Sequence, residues 1–135
     1  MYNTNQTINK VHLIGRLGDE PVFKLTTKGT PVMRLSIATQ AKMPDGNGGW
    51  QVTTQWHRVI VFGRDANFFR DKLHKGMLVS VTGFIVYKRV VSSDTGAEYR
   101  FTDIYTESIQ CLSKMQPVKT VKVEQIELEL STPQK

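Results

Sequence analysis

"DANFFRDKLHKG", residues 65–76, is the one stretch of this chain with a convincing helical period, and its place among the strands decides the fold. Ala66, Phe69 and Leu73 fall at i, i+3 and i+7, which stacks them on a single helix face. Asp65 stands where an N-cap is wanted, His74 and Lys75 put cations in the last turn, and Gly76 offers a C-terminal stop. These signals predict a helix of about three turns.

On both sides of it the period changes from helical to two. "PVMRLSIAT" (31–39) sets Met33, Leu35, Ile37 and Thr39 on a face that reads as buried, with Val32, Arg34, Ser36 and Ala38 on the other. The turn formers of "PDGNGG" (44–49) join it to "WQVTTQWHRVIVF" (50–62) as a long hairpin. "MLVSVTGFIVYKRVV" (77–91), "SSDTG" and "EYRFTDIYTESIQCL" (98–112) predict a second one. "NKVHLIGRLG" (9–18) is the first strand, and Pro21 opens a short extended "VFKLTT". Five strands with one helix between the third and fourth is the element order of an all-β, five-stranded Greek-key barrel of the oligonucleotide/oligosaccharide-binding (OB) type, closed on itself so that few strand edges stay open.

Bulk properties bound the function. A chain of 135 residues, 39% hydrophobic, suits one domain with a real core. The single cysteine, Cys111, excludes an intramolecular disulfide, and no Cys/His spacing matches a zinc site, which fits a reducing compartment. "MYNTNQTINK" lacks the apolar core of a signal peptide, and no run approaches the roughly 20 apolar residues of a membrane span, so a cytoplasmic location without membrane attachment is expected. A net charge of +6 suits a polyanionic partner, although plain basic proteins share it. The excess sits on residues 1–112, with fourteen basic and nine acidic residues. Residues 113–135 hold four and three, and "SKMQPVKTVKVEQIELELSTPQK" reads as a flexible tail following a 1–112 domain.

Within 50–62, alternation puts Trp56, Arg58, Ile60 and Phe62 on one face and His57, Val59 and Val61 on the other. An indole, a guanidinium and a phenyl ring in a row form a platform for unstacked bases and their phosphates, with little sequence dependence. The competing reading buries Trp56 and Phe62 in the core, and alternation by itself leaves both open.

Catalytic readings are weaker. "DGNGG" lacks the GK[ST] ending of a phosphate loop and joins two strands, so it reads as a hairpin tip. Cys111 has no basic partner nearby in sequence and reads as a small apolar filler. Asp103 and Glu107 are four apart in a strand, hence on the same face as a paired-carboxylate site would need, but without a third acid or a metal motif they read as solvated strand charges. His57 has no carboxylate or cysteine at a useful spacing, so neither a metal nor an enzyme is expected.

"INKVHLIGRLGDEP" (8–21), "TQWHRVIVFGR" (54–64), "LHKGMLVSVTG" (73–83) and "DTGAEYRFTDI" (94–104) together resemble the bacterial single-stranded DNA-binding protein family over about residues 8–112. The resemblance implies an OB fold, a homotetramer and sequence-tolerant wrapping of single-stranded DNA in replication, recombination and repair, with no cofactor. The family's stacking aromatics fall on Trp56 and Phe62. Two others fall near Met43 and Val90, which are not aromatic, and Trp50 and Tyr87 stand close enough to substitute. Basic positions that correspond are Arg64, Lys75, Lys88 and Arg89, with Lys42 in the first hairpin, and Arg58 joins them by its place beside Trp56. By the same resemblance, His57 lies toward the subunit interface, packed and hydrogen-bonded. "ELELSTPQK" has no acidic tip with a terminal aromatic, which points to a plasmid, phage or integrated-element paralogue or to a truncated chain. The other class that remains is an OB-fold accessory module of primosome type, which interacts chiefly with proteins.

Overall fold

Alternation of apolar and polar side chains carries most of the chain into strands, and the computed structural model describes residues 6–114. The elements are β1 (Val11–Leu17), β2 (Val22–Leu25), β3 (Pro31–Pro44), β4 (Trp50–Phe62), α1 (Gly63–Phe69), β5 (Leu78–Val91) and β6 (Glu98–Cys111). β1 pairs antiparallel with both β5 and β3, so β1-β5-β6-β4-β3 closes into the expected five-stranded barrel. The short "VFKLTT" contributes a sixth strand, β2, which pairs with β3 alone and lies outside the closure. One parallel ladder completes the ring, with Arg58 opposite Asp103, Val59 opposite Ile104 and Ile60 opposite Tyr105.

Residues facing inward from every barrel strand form the core: Leu17 from β1, Met33, Leu35 and Ile37 from β3, Val59 and Val61 from β4, Val79 and Val81 from β5, Ile104 and Ile109 from β6. Such close-packed branched side chains supply most of the stabilisation through removal of apolar surface from water. Ala66, Phe69 and Leu73 are buried against this core, as their spacing predicted.

The helix itself departs from expectation. It starts at Gly63 and ends at Phe69, Phe62 occupies the N-cap position without a side-chain cap, and Asp65 sits inside the first turn. There its negative charge still favours the helix N-terminus. Beyond Phe69 the chain passes into turns, because the barrel claims the backbone: Gly76 N–H donates to Leu17 O at 2.8 Å and Leu17 N–H to Met77 O at 2.9 Å. Gly76 holds φ at +92°, so it makes a left-handed turn residue on β1 where a helix stop was expected.

A second departure is a β-bulge. The β5–β6 register runs Thr82 to Ser108 and then Gly83 to Thr106, leaving Glu107 as the extra residue. The two-residue period of β6 breaks there, so Asp103 and Glu107 do not share an environment: Asp103 is buried and Glu107 exposed. The expectation of two solvated carboxylates is therefore corrected for Asp103. At the end of the domain the Leu78 N–H donates to Ser113 Oγ at 2.7 Å, so the barrel's hydrogen bonding reaches one residue past the predicted boundary. The rest of the predicted tail, from residue 115, lies outside the described residues, as do residues 1–5.

Candidate functional site

The β3–β4 ladder runs without a bulge from Val32–Phe62 to Pro44–Trp50, so face assignments hold along its whole length. Trp50, Trp56, Arg58, Ile60 and Phe62 share one face, with Lys42 and Arg34 on the paired strand. Val59 and Val61 point the other way and are fully buried, whereas Trp50, Trp56 and Phe62 are exposed by 69%, 62% and 40%. Of the two readings that alternation left open, the exposed one holds. Trp56 is also positioned: its indole lies across Gly18 at the end of β1, where an added Cβ would overlap the ring.

Across the parallel ladder the same face continues onto β6 and β5. Phe101, Asp103 and Tyr105 lie on it, opposite Lys88, Val86 and Phe84. The Phe62 and Tyr105 rings meet edge to face, with centroids 4.9 Å apart. Lys24, Arg34, Arg58, Phe62, Lys88 and Tyr105 line one shallow groove.

The charges in this groove are not equivalent. Arg58 Nε stands 2.9 Å from Asp103 Oδ1, and Asp103 is only 2% exposed. The contact is a short-range ion pair without hydrogen-bond geometry at either atom. The guanidinium also covers the Phe101 ring, 4.7 Å from its centroid. Arg58, expected as a phosphate ligand, is matched to a buried carboxylate and keeps about a third of its side chain exposed. Lys24, Arg34 and Lys88 make no ion pair among the described residues and carry the groove's uncompensated positive charge.

The remaining predicted residues distribute around this face. Lys42 sits opposite Val52, between Trp50 and Trp56, toward the tip of the first hairpin. Arg64 is the second residue of α1, two positions after Phe62, and is exposed. Lys75 lies in the turn after α1, where Glu20 accepts the Lys75 N–H at 2.9 Å and pairs with His74 Nδ1 at 3.2 Å. The Lys75 backbone donor, followed by the His74 contact, holds the Glu20 carboxyl below the usual glutamate range. Tyr87 and Arg89 project from the opposite face of the β5–β6 hairpin to Lys88, since they pair with Thr102 and Arg100. Arg89 and Arg100 share the Glu98 carboxylate, at 3.6 and 3.0 Å. The non-aromatic Met43 and Val90 are both partly exposed.

His57 is half-buried and hydrogen-bonded. Its Nε2 pairs with Thr39 Oγ1 at 2.8 Å, and burial lowers its pKa, favouring the neutral ring. It lies in a cleft with Val11, Leu13, Ile85 and Ile104, bordered also by Trp56, Arg58 and Thr102. Among the described residues no group of three or more His, Cys, Asp or Glu could hold a metal ion, and no helix is long and apolar enough to cross a membrane.

Sequence reading missed Phe101, Tyr105, Lys24 and Arg34 as members of this face. The signal was present in "EYRFTDIY", where Tyr99, Phe101, Asp103 and Tyr105 alternate, but nothing local says that this row lies beside Arg58 and Ile60.

Comparison with known proteins agrees with this geometry. A single-stranded DNA-binding protein of Xanthomonas axonopodis pv. citri is 39% identical over 105 residues, 78% of this chain and 58% of its own length. This chain therefore spans somewhat over half of that relative. The Plasmodium falciparum SSB, solved in complex with ssDNA, matches with a TM-score of 0.71 at 27% identity, over 82% of this chain and 100% of that one. A deletion mutant of the Thermus aquaticus single-stranded DNA binding protein matches with a TM-score of 0.69 at 30% identity, over 78% of this chain and 51% of that one. The single-strand binding protein family matches residues 8–112, and the chain belongs to that family.

Proposed function

We propose that this protein binds single-stranded DNA without sequence preference and protects it during replication, recombination and repair. The observation that carries the reading is the exposure of Trp56 and Phe62 on one barrel face, within reach of the unpaired Arg34, Lys24 and Lys88. Bases stack on rings and cations neutralise phosphates, and neither interaction depends on base identity. Family membership and the likeness to an SSB solved with ssDNA support it.

Within this reading Trp56, Phe62 and Trp50 stack, Lys42, Lys88, Arg64 and Lys75 contact phosphates, and Arg58 orders the platform. The domain of residues 1–112 is the binding unit, in a cytoplasmic protein that needs neither cofactor nor catalytic group. Four copies associate, and His57, half-buried beside Val11, Leu13 and Ile85, faces the neighbouring copy. Titration with oligo(dT) tests the central claim: tryptophan fluorescence is expected to quench, with affinity falling steeply as salt rises. Absence of quenching and of any oligo(dT) affinity would instead indicate an accessory module that binds proteins. Native mass measurement, with and without oligo(dT), tests the tetramer.

A further inference from the structure

We propose that Phe101 and Tyr99 extend the stacking surface along β6, so that the strand leaves the barrel over the Lys88 face of the β5–β6 hairpin. The inference rests on the single-strand reading above and names the path that reading leaves open. Arg58 pairs with Asp103 across the parallel ladder, so the odd-numbered residues of β6 before the bulge, Tyr99 to Tyr105, continue the face of Trp56 and Phe62. Counting outward from Tyr105, that face carries Asp103, Phe101 and Tyr99. Same-face neighbours on a strand stand about 7 Å apart, which lets successive rings take successive bases of an extended strand. Tyr99 is 53% exposed and Phe101 36%, a large aromatic surface for two adjacent same-face positions.

Charge distinguishes the two faces of the hairpin. On the Tyr99 side, Lys88 stands opposite Phe101 and makes no ion pair among the described residues. The one acid on that side, Asp103, is buried and matched by Arg58. On the Tyr87 side, Arg89 and Arg100 both lean on Glu98, so that face offers phosphates cations that are already engaged. Arg58 acts here as a positioning residue. Its guanidinium backs the Phe101 ring at 4.7 Å, leaving the exposed remainder of the ring for a base.

Photocrosslinking of the full chain to oligo(dT) carrying 5-iodouracil, with the adducts mapped by mass spectrometry, tests the path. Adducts are expected at Tyr99 and Phe101 as well as Trp56. In parallel, Tyr99→Ala should weaken binding of an oligo(dT) long enough to reach the hairpin by about tenfold, while Tyr99→Phe, which keeps the ring, stays within about twofold. Adducts at Tyr87 with none at Tyr99, or a Tyr99→Ala protein that binds like the parent while Trp56→Ala is weakened, would overturn the extension and leave the barrel platform standing. A parent protein with no affinity for oligo(dT) would overturn both.

Discussion

Gly18 stands so close to the indole of Trp56 that an added Cβ would overlap it, so the first residue after β1 sets where the platform's largest ring can rest. Because no Cβ intervenes, the ring can come close to the backbone here and still keep most of its surface exposed. Gly18→Val is expected to push the indole off this seat and to weaken oligo(dT) binding nearly as much as removal of the ring. Tryptophan emission and an anisotropy titration check this. A Gly18→Val protein with parent affinity would show that the seat does not matter.

Trp56→Ala and Phe62→Ala should each cost about 1–3 kcal/mol of single-strand affinity, the range for losing one stacked base. Neither ring belongs to the core cluster, so both variants should remain folded. Phe62→Ala should also lose its edge-to-face contact with Tyr105, about 0.5–1.5 kcal/mol of stability. Thermal melts beside binding isotherms separate the two effects.

Removing Arg58 strands a carboxylate that is almost wholly buried. Loss of one partner of a fully buried pair costs about 3–5 kcal/mol, and the partial exposure of Arg58 reduces that to about 1–3 kcal/mol for Arg58→Ala. Pairing the change with Asp103→Asn should recover part of the loss. A denaturant-melt double-mutant cycle measures the coupling, and additive single effects would show that the ion pair contributes nothing.

Salt dependence should distinguish Lys88 from its neighbour. A phosphate contact on a single strand contributes about 0.7 to the slope of log affinity against log salt, so Lys88→Ala should lower the slope by up to that amount. Arg89→Ala should lower it less, because Arg89 already shares Glu98. Equal decreases would mean that both hairpin faces meet DNA.

His57 should give stability a pH dependence of defined sign. Burial lowers its pKa below the ordinary 6.5, so the unfolded chain binds the proton more readily than the folded one. The stabilisation is complete above pH 6.5 and is lost as pH falls from there through the folded pKa. Melting temperatures from pH 7.5 down to 5 should decline less steeply in His57→Gln than in the parent. Identical slopes would remove His57 from the account.

Alternation along 50–62, the turn formers at 44–49 and 92–96 and one helical stretch were enough to lay out the barrel, because each is a local pattern of side chains facing core or water. The same patterns placed Trp56 and Phe62 on one face and predicted which helix residues are buried. Other features needed distant parts of the chain to meet. The helix stops at Phe69 because the backbone at Gly76 and Met77 bonds to Leu17, far away in sequence. The bulge at Glu107 breaks the period of β6, and the parallel ladder sets Asp103 beside Arg58. Only through that ladder does the Tyr99–Phe101–Tyr105 row become an extension of the Trp56 face. Local alternation determined which residues share a face; barrel closure and strand register, properties of two segments at once, decided which face turns outward and which residues stand together.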